Sequence, residues 1–264
     1  MMKKIIRIWY FSGTGQCKRL AKYIAGNLTD NATDHLINVQ DITSMTERNA
    51  INKNISCDQL ILIFPIYANN SPEPMQQFLK ELEGNHVPVM IFALWGNITK
   101  GNALYNTMKI LVSRGFVVNG GAELVAEHSF VAEHLPITHS IAALDDLLNY
   151  IRERLALANG ITISFQKESL QIKVMCLFPD GFMPRRIVKI KLNENLCNQC
   201  GNCIRRCPNN AVREDYTIVQ KKCIRCLSCV SYCPNNARTH EVLGIVESAF
   251  KHEAAQAKKD VYYE

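Results

Sequence analysis

The run "CNQCGNCIRRCPNNA" at residues 197–211 returns as "CIRCLSCVSYCPNNA" at residues 223–237. Each copy spells C-x2-C-x2-C-x3-C-P, first with Cys197, Cys200, Cys203 and Cys207, then with Cys223, Cys226, Cys229 and Cys233. Three thiolates on a C-x2-C-x2-C loop can each hold a different iron of one cubane, and the Cys-Pro that closes the run supplies the fourth ligand of the other cluster. The spacing therefore predicts two crossed sets. Cys197, Cys200, Cys203 and Cys233 form one, and Cys223, Cys226, Cys229 and Cys207 form the other. Pro208 and Pro234 stop a helix from running straight on and help fix the turn that swings the fourth thiolate across.

Other uses of cysteine fit less well. A closed zinc site takes four ligands, not three and one crossed over. A disulfide framework needs an oxidising compartment, which nothing in the chain suggests. Cysteines kept as small apolar residues would not fall twice on one spacing. Cys57 and Cys176 lack such a pattern and read as structural.

At 264 residues, with 47% hydrophobic and 20% charged residues, the chain has room for one large and one small globular domain. The opening "MMKKIIRIWYFSGTG" is broken by Arg7 and lacks a small-residue cleavage site, so it does not read as a leader. No stretch approaches the length of a membrane span. A cytoplasmic location is expected, where thiols stay reduced. The net charge of +6 is concentrated: residues 191–240 carry eight basic against three acidic side chains. Such a region offsets the negative charge of thiolate-bound clusters or meets an acidic redox partner, and nucleic acid is not expected.

In the first 150 residues, strand and helix patterns alternate. Apolar runs at 4–11, 34–39, 59–67, 87–94 and 116–126 read as strands, with helices at 16–28, at 72–83, at 101–115 and from Ser140 to Leu157. Continuous apolar strands between amphipathic helices indicate a doubly wound α/β domain with a five-stranded parallel sheet. The turn "SGTGQC" follows the first strand and opens a helix. There Ser12, Gly13, Thr14, Gly15, Gln16 and Cys17 can turn backbone N–H groups, hydroxyls and a helix N-terminus towards one phosphate. It is neither a P-loop nor G-x-G-x-x-G. Two further loops share that sheet edge. One offers Pro65, Tyr67, Ala68 and Asn69, the other Trp95, Gly96 and Asn97, and an aromatic on either side of a slot suits a planar ring.

"YFSGTGQC" and "FPIYANNSP" resemble flavodoxins, and the double cysteine run resembles bacterial two-cluster ferredoxins. Their order and spacing are similar to the flavodoxin–ferredoxin fusion family over nearly the whole chain. The resemblance implies FMN in a front domain (1–158) and two [4Fe-4S] clusters in a small α+β domain (191–240), with a linker at 159–190 and a helical tail at 241–264. It implies that Ser12, Thr14 and Gly15 hold the phosphate. Cys17 stands where flavodoxins carry a hydroxyl residue, and at a helix N-terminus it is also a candidate redox-active thiol.

His128, His134 and His139 match no zinc signature and are candidates to border the flavin, where one could relay a proton. Val242, Val246, Ala249 and Phe250 form the face with which the tail helix would dock. The expected function is electron transfer between two [4Fe-4S] clusters, FMN and a redox partner. The cations Arg205, Arg206, Lys221, Lys222 and Arg225 would raise the cluster potentials. The alternatives are a flavin-dependent oxidoreductase acting on a small substrate, and an iron–sulfur redox-sensing module without FMN.

Overall fold

The structure is a computed structural model that describes residues 3–28, 35–131, 141–157, 163, 165, 182–254 and 258–263. His134, His139, Cys176 and most of the expected linker lie outside the described residues. Five strands, β1 (Lys4–Tyr10), β2 (His35–Asp41), β3 (Gln59–Pro65), β4 (Pro88–Trp95) and β5 (Val117–Val125), pair in parallel in the order β2-β1-β3-β4-β5. This is the flavodoxin-like doubly wound order, with its switch point between β1 and β3. Residues Leu60 to Phe64 of β3 and Val89 to Ala93 of β4 are wholly buried, as strands covered on both faces require. Each such Ile, Leu or Phe contributes about 1.5–3 kcal/mol through burial.

The covering helices follow from helical periodicity. Helix α1 (Gln16–Asn27) buries Cys17, Leu20, Ala21 and Ile24 and leaves Lys18 and Lys22 outward. Next come α2 (Met45–Asn49), α3 (Glu73–Leu79), α4 (Ala103–Ser113) and α5 (Ile141–Ala156). Helix α2 is absent from the sequence expectation. It is a single turn started by a reciprocal capping box, in which Ser44 Oγ accepts from the Glu47 N–H and the Glu47 carboxylate accepts from the Ser44 N–H.

The chain resumes with α6 (Phe182–Ile187) and β6 (Val188–Leu192). It continues through two short helices, α7 (Asn202–Arg205) and α8 (Ser228–Ser231), to β7 (Arg238–Val242), α9 (Gly244–Ala254) and β8 (Val261–Tyr263). β6 and β7 pair antiparallel, from Val188 opposite Val242 to Leu192 opposite Arg238. β8 pairs antiparallel with β5, so the sheet has a sixth strand beyond the five expected, and the tail is a helix followed by a strand. Two contacts fix that strand, and an ion pair holds the acceptor of one of them. The Asp260 carboxylate accepts from the Val125 N–H at 2.7 Å, the Tyr263 hydroxyl donates to Glu123 at 2.9 Å, and Lys100 pairs with Glu123 at 2.9 Å. Among the described residues no helix is long and apolar enough to cross a membrane.

Candidate functional site

The cysteine repeat is also a backbone repeat. Gln199, Gly201 and Asn210 have φ of 56°, 71° and 46°, and their counterparts 26 residues on, Arg225, Leu227 and Asn236, have 59°, 58° and 50°. The left-handed turns wrap each loop, and non-glycine residues there cost about 1–2 kcal/mol apiece. The halves are joined reciprocally: the Asn193 N–H donates to Ala237 and the Val219 N–H to the equivalent Ala211, both at 2.7 Å. Arg206 and its counterpart Tyr232 stack, guanidinium over ring at 3.8 Å.

One cavity of about 20 Å³ is lined by Cys223, Cys226 and Cys229 of the second half together with Cys207 of the first, and by Ile190, Val212, Ile218 and Ile224. Among the described residues no three His, Cys, Asp or Glu side chains are placed to hold a single metal ion. The four thiols ring a space instead, a donor set that fits a sulfur-bridged cluster. Cys207, Cys226 and Cys229 are buried, and burial pushes the Cys229 thiol up to about 12 and raises that of Cys226 well above its usual value. Thiolates so buried need bound metal to offset their lost hydration. The Ala211 N–H also donates to Cys207 Sγ at 3.1 Å. The other set is more open: Cys200 is exposed, and Cys197, Cys203 and Cys233 are half-buried.

The phosphate-loop candidates cluster as the sequence places them. Gly15 takes φ 95° and caps α1. Ser12 donates its N–H to Thr43 Oγ1 at 2.9 Å and accepts the Lys18 N–H on its hydroxyl at 3.3 Å. Gln16 exchanges hydrogen bonds with Glu127, giving its amide to the Glu127 carbonyl and carboxylate and accepting the Glu127 N–H. Cys17 is 2% exposed in the apolar core, and burial raises its thiol far above the usual range. Desolvation outweighs the helix N-terminus, so Cys17 is a neutral core thiol and not a reactive one. Burial likewise pushes Cys57 up to about 11.

Ser12, Gly13, Thr14, Gln16, Cys17, Pro65, Tyr67, Ala68 and Gly96 line a slot of about 90 Å³, closed on its far side by Pro184, Ile224 and Arg225. Trp95 does not line it. Its ring is buried beneath the ammonium groups of Lys100 and Lys258, at 5.2 and 5.5 Å. Asn69 and Asn97 are buried with left-handed backbones behind the slot, and Asn69 packs on Gly101. Tyr67 turns inwards, where its hydroxyl accepts the Gly13 N–H, and burial raises its pKa. His128 also borders the slot, packed on Phe250 of α9 at 4.7 Å between ring centres, and burial lowers its pKa to about 4. Beside the slot opens a cleft of about 570 Å³ that shares Thr14, Gln16, Glu127, Ser129 and Phe130. That volume lies within the roughly 300–1,000 Å³ of ligand sites, whereas the slot alone does not.

The two sites touch. A β-carbon on Gly13 would collide with the carbonyl oxygen of Cys226 and with the Tyr67 hydroxyl. Ile224 and Cys226 belong to the same apolar core as Phe11 and Trp9 of the sheet. Arg48, 5% exposed, donates to the carbonyls of Ile42, Thr43 and Pro208, so a front-domain side chain grips the turn next to Cys207. Arg206 pairs with Asp41 at 3.2 Å. Sequence reasoning missed Arg48, whose signal is the Ser44-x-x-Glu47 capping box that buries the turn carrying it.

Residues 189–234 match the family model of a 4Fe-4S dicluster domain. The chain joins such a domain to a flavodoxin-like sheet. Its role is therefore redox, in electron transfer. Similar solved structures include a flavodoxin from the domain Archaea, at 13% identity over 57% of this chain and 98% of that one, TM-score 0.41. A Fusobacterium nucleatum flavodoxin bound to flavin mononucleotide is 17% identical over 57% of this chain and 96% of that one, TM-score 0.39. An NADH:FMN oxidoreductase (EMOB) in its apo form is 17% identical over 60% of this chain and 92% of that one, TM-score 0.44. No curated protein matches the chain.

Proposed function

We propose that the chain is an internal electron conduit, with two [4Fe-4S] clusters, FMN in the slot, and an acidic redox partner at the open end. The observation that carries this reading is the contact of the Cys226 carbonyl with Gly13, which leaves no layer between a cluster-ligand loop and a phosphate loop. Cys207, Cys223, Cys226 and Cys229 would hold the inner cluster, and Cys197, Cys200, Cys203 and Cys233 the outer one. Ser12, Gly13, Thr14, Gly15 and Gln16 would hold the FMN phosphate, with Pro65, Tyr67, Ala68 and Gly96 along the ring. When bound, the clusters exchange single electrons and the flavin one or two.

The protein's part is position and dielectric. Ile190, Val212, Ile218 and Ile224 keep water from the inner thiolates. Arg48, on the Pro208 carbonyl, and the Ala211 N–H place positive charge near Cys207, which would stabilise the more negative, reduced state of a cluster held there. Arg205, Lys221 and Lys222 are exposed and offer a cationic face to an acidic partner. Holding both groups in one chain replaces a collision by an internal step.

The narrowness of the slot and the use of the Gly13 N–H by Tyr67 favour one second reading, a redox-sensing module that holds clusters without FMN. Anaerobic purification with iron, sulfide and flavin analysis decides between them. About eight irons and one FMN per chain are expected. Eight irons and no flavin, even after FMN is added, would overturn the conduit.

A further inference from the structure

Helix α1 opens without an anion of its own. Its first turn holds no acidic residue, and no side chain caps it at Gly15. A carboxylate reaches it instead from Glu127, 111 residues beyond Gln16 and just after β5. Glu127 Oε2 accepts from Gln16 Nε2 at 3.1 Å and stands 3.8 Å from Arg19 Nη2. The same guanidinium lies over the turn, where a β-carbon on Gly15 would be 3.7 Å from Arg19 Nη1. The carboxylate thus sits on the side chains that flank the phosphate loop, at the end of the helix that favours an anion.

Holding the chain in place does not need that charge. The Glu127 N–H donates to Gln16 Oε1 at 3.2 Å, and its carbonyl accepts from Gln16 Nε2 at 3.1 Å. This backbone pair ties the segment after β5 to α1 whatever side chain stands at 127. The ion pair with Arg19, whose side chain is 67% exposed, adds little stability. Its position matters more. Thr14, Gln16, Glu127, Ser129 and Phe130 are walls of both the slot and the cleft, so the Gln16–Glu127 pair is the partition between them. The slot of about 90 Å³ is too small for a flavin, and the cleft of about 570 Å³ is not.

We infer that Glu127 is an internal competitor for the phosphate. Its carboxylate holds the anion's place at the start of α1, and FMN binds by displacing it from Gln16 and Arg19, which joins the slot to the cleft. The inference rests on the reading that the turn after β1 holds the FMN phosphate. It makes Glu127 a specificity residue that opposes a ligand through its phosphate charge and leaves an uncharged flavin unopposed.

The test uses the full chain with its iron, stripped of flavin, in wild-type form and as E127Q, E127A and E247Q. Flavin fluorescence quenching gives Kd for FMN and for riboflavin, which has the ring and lacks the phosphate. E127Q and E127A are expected to tighten FMN by about tenfold and to change riboflavin by less than about twofold. That gain should shrink as salt is raised, because the opposition is electrostatic. Glu247 lines the same cleft but pairs with Lys251, away from the loop, so E247Q should leave both ligands unchanged.

An FMN Kd that is unchanged or weaker in both Glu127 variants would overturn the inference while leaving the FMN reading intact. Equal tightening of both ligands would show that Glu127 opposes the ring, and an equal gain in E247Q would assign the effect to the charge of the whole cleft. Either would overturn it. FMN bound by E127Q and not by the wild type would support it most strongly. Neither ligand bound by any form would overturn both readings. If E127Q fails to fold, E127A decides, because it keeps the backbone pair with Gln16.

Discussion

The carbonyl oxygen of Cys226 occupies the place that a β-carbon on Gly13 would need. One residue belongs to the second cysteine loop and the other to the turn after β1, 213 positions earlier in the chain by subtraction of their numbers. Gly13→Ala must push the loop away, at an overpacking cost of about 1–3 kcal/mol. Gly26 is the control. It lies in α1 with open space around its Cα, so Gly26→Ala should stabilise by about 0.5–1 kcal/mol. Thermal melts of both variants should move in opposite directions, and a silent Gly13→Ala would mean that the contact is not tight.

Arg48 is the second tie between the domains. Arg48→Met leaves the carbonyls of Ile42, Thr43 and Pro208 without their charged donor and should cost about 3 kcal/mol in denaturant unfolding. Arg48→Lys keeps charge but cannot reach both domains at once, so it should recover less than half of that loss. Iron should become easier to chelate in Arg48→Met, since the Cys207–Pro208 turn loses its anchor.

Much of this was legible beforehand. The strands at 59–65 and 88–95 are continuous apolar runs that only a sheet covered on both faces can bury. The gathering of Cys207 with Cys223, Cys226 and Cys229 around one cavity follows the crossed spacing. Other features carried no periodic signal. β8 is three residues long, and its place on β5 depends on Asp260 and Tyr263 finding partners more than 130 positions away. Trp95 ends a strand, where an aromatic can face the slot or its back. Lys100 and Lys258 draw it to the back. Arg225 reads in the sequence as a cation that raises the cluster potentials, and its burial on the Val188 carbonyl and Gln220 has no signal there.

His128 gives a pH signature. Its folded pKa of about 4 lies below the ordinary 6.5, because burial disfavours the imidazolium. Above pH 6.5 the ring is neutral in both states and adds no slope. As pH falls from 6.5 towards 4 the unfolded chain takes up a proton that the folded chain refuses, and stability drops by up to about 3 kcal/mol. Unfolding curves at pH 7 and pH 5 should differ by about 2 kcal/mol from this group in the wild type, and His128→Gln should remove most of that difference.

The tail strand is held by single contacts that can be cut one at a time. Asp260→Ala leaves the Val125 N–H without its acceptor and should cost about 1–2 kcal/mol. Hydrogen exchange should then speed at Val125 and not at Ile61 in β3. Uniform protection in both forms would mean that β8 does not hold the sheet edge.

The central claim is that the cysteine loops and the slot work as one internal circuit. The direct measurement is rapid reduction of the clusters in the FMN-loaded chain, followed by the flavin absorbance change at several protein concentrations. A first-order rate that does not vary with concentration is predicted, slowed in Gly13→Ala as the two sites separate. A rate proportional to protein concentration, or clusters that reduce while the flavin stays oxidised, would contradict it.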